Sequence, residues 1–146
     1  MRLTTRGRYA VTAMADLAVR GADGPTPLSE ISSSQSISAT YLEQLFGRLR
    51  RAGLVESMRG VGGGYKLARP ASEIAISDIV LAADESIDTT ACGATGTDSC
   101  RGDGTRCLTH DLWDALGREI RGFLDGVSLA DVADGRLKPV PLEAAE

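Results

Sequence analysis

The chain has 146 residues, 42% of them hydrophobic and 4% aromatic, with 16 Lys/Arg against 20 Asp/Glu for a net charge of −4. That length suits one domain, or a small module with a dimerising extension. No apolar run reaches membrane-span length, and the opening M-R-L-T-T-R-G-R-Y is charged with no apolar signal core; a cytoplasmic protein without a membrane partner is predicted.

The net charge conceals two opposed halves. Residues 1–70 hold ten Lys/Arg and five Asp/Glu, a net of +5, while residues 71–146 hold six and fifteen, a net of −9. A basic half joined to an acidic one keeps a nucleic-acid partner open despite the acidic total.

The first predicted helix runs from Thr5 to Ala22, with Ala10, Ala13, Met14, Leu17 and Ala18 on one face at helical spacing. Gly21, Gly24, Pro25 and Pro27 end it. A short helix follows from Leu28 to Ser34, then a turn through Gln35, Ser36 and Ile37. Ser38 is placed to cap a third helix that stops before Gly53. Two helices joined by a brief turn, the second longer and arginine-bearing, form a helix-turn-helix layout. The third helix turns Leu42, Leu45, Phe46 and Leu49 to the core. Its opposite face carries Thr40, Gln44, Gly47 and Arg51, flanked by Glu43, Arg48 and Arg50, residue types that bond base edges and phosphates. Glu43 is repelled by phosphate, yet its carboxylate can accept from cytosine N4 and sharpen sequence choice. A solvent-facing Glu43 paired with Arg50 or Arg51 is the competing role.

Leu54–Ser57 and Tyr65–Ala68 read as two short strands joined by Met58-Arg59-Gly60-Val61-Gly62-Gly63-Gly64. The glycines predict a flexible hairpin tip without packing side chains. Beside a helix-turn-helix this hairpin is a wing, with Arg59 placed to enter a minor groove. A phosphate-cradling nucleotide loop would need a following Lys-Ser/Thr and a βαβ unit, and neither is present. The predicted fold is therefore mainly α with a small β-hairpin wing, a winged helix-turn-helix over residues 1–70.

Residues 71–135 form the second predicted unit. Ser77 to Asp84 makes a short helix capped by Ser77, a polar loop spans about 86–108, and a long helix runs from Thr109 to Leu124. Leu108, Leu112, Leu116, Ile120 and Leu124 recur every fourth residue, widened by Trp113, Phe123 and Val127. This much apolar surface on one helix predicts a C-terminal dimerisation helix and a homodimer; packing within the chain is the alternative. Residues 128–134 make a last helical turn, and 136–146 are predicted to be a disordered tail.

The polar loop holds the chemistry. Cys92, Cys100, Cys107 and His110 are all three cysteines and the sole histidine, gathered within nineteen residues otherwise rich in Gly, Thr, Ser and Asp. Such a segment buries too little apolar surface to order itself, and three thiolates with an imidazole can order it around a metal or an iron–sulfur cluster. An odd number of cysteines cannot all pair internally, which favours ligation in a reducing compartment. A structural zinc set shares these donors but usually pairs its cysteines two residues apart. A disulfide-based thiol sensor has no need of His110. A Cys107–His110 nucleophile and base would require a pocket and oxyanion hole that this loop does not build, so no enzyme is predicted. A simple electron carrier would leave the basic half idle.

M-R-L-T-T-R-G-R-Y-A-V-T-A-M at 1–14, S-A-T-Y-L-E-Q-L-F-G-R-L-R-R-A-G-L-V at 38–55 and R-G-V-G-G-G-Y at 59–65 resemble the Rrf2 family of bacterial winged-helix regulators. D-E-S-I-D-T-T at 84–90, the three cysteines and C-L-T-H at 107–110 are similar to its iron–sulfur-sensing members. The resemblance covers about residues 1–135. It implies a homodimeric repressor of a double-stranded DNA operator, with a [2Fe-2S] cluster on Cys92, Cys100, Cys107 and His110. The cluster assembly machinery would be its donor and the cluster-biogenesis genes its targets. It also implies that Thr40, Glu43 and Gln44 read DNA from the recognition helix and Arg59 from the wing; Arg2, Tyr41, Arg48, Arg50, Arg51 and Gly60 complete the expected DNA-facing set. Two features depart from the family pattern. The intervals between the cysteines are longer than usual, at little entropic cost to a flexible loop, and Thr40 replaces a common serine while keeping the hydroxyl.

Overall fold

The structure, a computed structural model, describes residues 4–83, 86–87, 89–90 and 100–137. Helix α1 (Thr5–Arg20) starts where the Thr4 hydroxyl accepts the Arg6 N–H, and its apolar stripe of Ala10, Ala13, Met14 and Leu17 is wholly buried. Helix α2 (Leu28–Gln35) ends on Ser36 in a left-handed conformation, φ 55°, which turns the chain sharply into the next helix. Helix α3 (Ala39–Arg51) begins at Ser38, whose side chain accepts the Tyr41 N–H at 3.2 Å, and it buries Leu42, Leu45, Phe46 and Leu49. The capping and core stripe anticipated for this helix are both present.

Strands β1 (Val55–Met58) and β2 (Gly64–Leu67) form an antiparallel hairpin in the register Val55↔Leu67 to Met58↔Gly64. Each is offset by one residue from the predicted span. The Leu54 N–H still bonds the Leu49 carbonyl at 3.0 Å, so Leu54 finishes the helix terminus before the strand starts. The glycines are also more constrained than their composition suggests. A Cβ on Gly63 would fall 2.4 Å from the Met58 carbonyl oxygen, and one on Gly64 would fall 2.3 Å from the Thr26 carbonyl oxygen. Thr26 and Tyr65 exchange two backbone hydrogen bonds of 2.8 Å, which pin the base of the wing to the loop ahead of α2. Gly64 thus serves close backbone approach as well as its positive φ of 153°.

Helix α4 (Ile76–Ala82) starts earlier than predicted, and Ser77 does not cap it. Ala75 holds the cap position, the Asp78 carboxylate accepts its N–H at 3.3 Å, and Ser77 is buried at 2% exposure. The cause is tertiary: extended Ile74 and Ala75 and the first residue of α4 pair with the chain leaving the next helix, through Ile76 N–H to Val127 O (2.9 Å) and Leu129 N–H to Ile74 O (2.8 Å). Helix α5 (His110–Asp125) and helix α6 (Leu129–Ala133) close the described chain, and a Ser128–Asp131 capping box starts α6. One core joins Leu17, Phe46, Ile74, Ile79 and Leu129, so residues from both charge halves share it. Three helices with a hairpin wing, followed by a long C-terminal helix, make a winged helix-turn-helix. No described helix is long and apolar enough to cross a membrane.

The α5 stripe divides. Ile120, Leu124 and Val127 pack on the core of their own chain, whereas Leu108 (105% exposed), Leu112 (60%), Trp113 (44%) and Phe123 (50%) face outward. Packing within the chain therefore accounts for Ile120, Leu124 and Val127, and the rest of the stripe is left as an open apolar surface.

Candidate nucleic-acid interface and metal centre

The face of α3 away from the core presents Thr40, Glu43, Gln44, Arg50 and Arg51, all exposed. Capping by Ser38 and burial of the leucine stripe fix the rotation of the helix, so these side chains point outward together. Tyr41 is half-buried, its ring edge-on to Tyr9 with centroids 5.9 Å apart, which ties the start of α3 to α1. Arg50 Nη1 donates to Ser57 Oγ at 3.2 Å, across to the first wing strand. Arg48 turns inward and donates to the Ala83 carbonyl at 3.2 Å. Arg59 and Gly60 are exposed at the wing tip beside fully exposed Val61, an apolar tip residue that charge-based reasoning passed over. Arg2 lies outside the described residues.

The ligand loop is partly described, and Cys92 lies outside that part. From Cys100 the chain makes a compact turn. The Thr105 carbonyl accepts from the Cys100 and Arg101 N–H groups at 3.1 and 3.2 Å, and Gly104 adopts φ 83°. The Asp103 carboxylate accepts from the Thr105 hydroxyl (2.6 Å) and N–H (3.0 Å), bonds that hold its carboxyl below the usual range, the hydroxyl contributing most. This turn brings Cys100 Sγ to 2.9 Å from His110 Nδ1. His110 is 8% exposed and opens α5, where its own N–H bonds the Cys107 carbonyl at 3.1 Å. Cys107 is half-buried with its sulfur 3.7 Å from Thr109 Oγ1. Hydrogen bonding from the Thr109 hydroxyl, and next from the Cys100 thiol, lowers the Cys107 thiol below its ordinary value. Thr109 was not singled out among the candidate residues; its position between Cys107 and His110 was the available signal.

Among the described residues no three His, Cys, Asp or Glu side chains close into a metal-holding group. The donor chemistry nevertheless fits a soft centre. A thiol and an imidazole nitrogen meet side by side, a second thiol biased towards thiolate adjoins them, and the positive end of α5 is near. Three sulfurs and one nitrogen, the donors offered by the four residues expected from sequence, suit an iron–sulfur cluster or zinc.

Residues 3–135 match the family model Rrf2, described as an iron-dependent transcriptional regulator. The HTH-type transcriptional regulator IscR of Serratia proteamaculans is 54% identical over 136 residues, covering 93% of this chain and 81% of that protein. The protein of the same name from Photorhabdus laumondii is 53% identical over the same lengths. Among solved structures, T. potens IscR superposes with a TM-score of 0.75 at 34% identity, covering 94% of this chain and 89% of that one. CymR, the global cysteine regulator of B. subtilis, reaches 0.77 at 32% identity over 92% and 98%.

Proposed function

The chain belongs to the Rrf2 family of iron-dependent transcriptional regulators, a DNA-binding regulator and not an enzyme, and from that premise we propose that it senses iron–sulfur supply as a homodimeric repressor. Cys92, Cys100, Cys107 and His110 hold a [2Fe-2S] cluster, delivered by the cluster assembly machinery in the cytoplasm. The regulated operators belong to cluster-biogenesis genes. The observation that carries this is the approach of Cys100 Sγ to His110 Nδ1 at 2.9 Å, at the start of the helix that also bears the open apolar stripe.

When bound, the cluster supplies a redox-sensitive centre whose imidazole ligand raises its reduction potential above that of an all-cysteine site. The chain's own residues do the rest. The Asp103–Thr105 turn presents Cys100, Thr109 favours the Cys107 thiolate, and burial of His110 shields the imidazole from water. Leu112, Trp113 and Phe123 lie on the same helix as His110, so ordering the loop against α5 bears on the surface that joins two copies. Two copies present two recognition helices, which suits a palindromic operator. Thr40, Glu43 and Gln44 read base edges there, with Arg2, Tyr41, Arg50, Arg51, Arg59 and Gly60 contacting the backbone and grooves.

Purification without oxygen, followed by a visible spectrum and assays for iron, acid-labile sulfide and zinc, tests the cluster. Charge-transfer bands with roughly two irons and two sulfides per chain are expected. Zinc without sulfide would replace this reading with a zinc-dependent regulator. A metal-free, colourless protein that takes up nothing on reconstitution would replace it with a thiol switch.

A further inference from the structure

An arginine that grips a DNA phosphate must be able to reach outward from its helix. The last turn of α3 carries Arg48, Arg50 and Arg51, and their surroundings differ. Arg50 and Arg51 are exposed, and Arg50 is linked to the wing strand. Arg48 is half-buried and donates through Nη1 to the Ala83 carbonyl at 3.2 Å. Ala83 is the C-cap of α4 and is fully buried. The final carbonyls of a helix have no partner within it, and a buried one must find a donor elsewhere. Arg48 is that donor.

We propose that Arg48 is a positioning residue for operator binding: it seats the recognition helix against the end of α4 and makes no contact with DNA phosphate. The consequence is specific. A phosphate contact adds affinity on every sequence and one counterion to the salt dependence, whereas a seating contact controls whether Thr40, Glu43 and Gln44 meet the base edges in register. Residue type and position on the helix flank alone would place Arg48 among the DNA contacts; the direction of its guanidinium separates it from Arg50.

The test compares wild type with Arg48→Met, which keeps the apolar stem, and with Arg48→Lys, which keeps a donor. The probes are a duplex selected from a random pool by the wild-type protein and a scrambled duplex of equal length. Binding is measured across a salt series, well below each variant's Tm. Arg48→Met should lower the selected-to-scrambled affinity ratio about tenfold, the equivalent of roughly one misplaced base contact, with the wild-type salt slope retained. Arg48→Lys should recover part of that ratio. A slope reduced by about one, with equal loss on both duplexes, would overturn the proposal in favour of a phosphate contact. A lower Tm with both affinities unchanged would overturn it in favour of a purely structural cap. If Arg48→Met does not fold, Arg48→Lys alone decides through the same ratio and slope.

Discussion

Thr89 lies flush against Gly117 of α5: a Cβ on Gly117 would fall 2.5 Å from the Thr89 hydroxyl oxygen, and that hydroxyl donates to the Trp113 carbonyl one turn earlier. The segment leading into the ligand loop is thereby strapped across the helix that carries His110 and the open apolar stripe. Gly117→Ala gains about 1 kcal/mol of helix propensity and forfeits a hydrogen bond of about the same net worth. Global stability should change by less than about 1 kcal/mol, while amide exchange at Thr89 and Thr90 should quicken. Unchanged exchange there would show that the strap does not depend on the missing side chain.

Cys92→Ala should abolish the visible charge-transfer bands and leave a folded dimer by circular dichroism and sedimentation, because the described hydrophobic core is built around Leu17, Phe46, Ile74, Ile79 and Leu129. An unfolded product would make the centre structural instead.

Thr109→Ala should raise the Cys107 pKa, since the Thr109 hydroxyl is the main cause of its depression. In metal-free protein the alkylation-rate profile of Cys107 should shift to higher pH, so that at neutral pH the thiol reacts more slowly. A profile that stays in place would assign the depression to the other neighbours.

Glu43→Ala should relax sequence discrimination more than it weakens binding, because a carboxylate beside phosphates is repulsive and contributes chiefly by accepting from a cytosine amine. Affinity lost equally on all sequences would remove Glu43 from base readout.

Trp113→Glu should weaken self-association on the order of 100-fold, since an unpaired carboxylate in an apolar interface costs several kcal/mol. Sedimentation velocity across a concentration series reads this directly, and an unchanged dimer would move the interface off the outward part of α5.

Asp131 accepts from the Ser128 N–H at 3.0 Å and from its hydroxyl at 2.8 Å, bonds that hold the carboxyl below the ordinary aspartate range, the backbone bond contributing most. A carboxyl depressed on folding stabilises the protein above its unfolded pKa, and that stabilisation disappears as pH falls through the folded value. Asp131→Asn should therefore lower Tm at neutral pH, with the difference from wild type closing under strongly acid conditions. A gap of constant size would trace the effect to packing of α6 instead of charge.

Much of the winged helix-turn-helix was legible from residue order. The buried stripes of α1 and α3, the Ser38 cap and the hairpin all rest on local spacing and local hydrogen bonds, which sequence displays directly. The four candidate ligands stand out in the sequence as a soft-donor cluster in a segment with almost nothing apolar to bury. Ser77 was misplaced as a cap because the start of α4 is set by pairing with residues 127–129, far along the chain. The glycines of the wing read as freedom, while Gly63 and Gly64 answer to backbone atoms that crowd them.

Residue order alone settles the helical periods, the Ser38 cap of α3 and which side chains can ligate a soft metal, because these depend on residue type and neighbours a few positions away. Long-range packing decides that Arg48 faces Ala83 while Arg50 faces the wing, that Cys100 meets His110, and that Ile120, Leu124 and Val127 of the α5 stripe are consumed by the chain's own core. Those outcomes depend on which distant surfaces come to lie together, and contacts between distant segments are settled by the packing of the whole core, which no local pattern encodes.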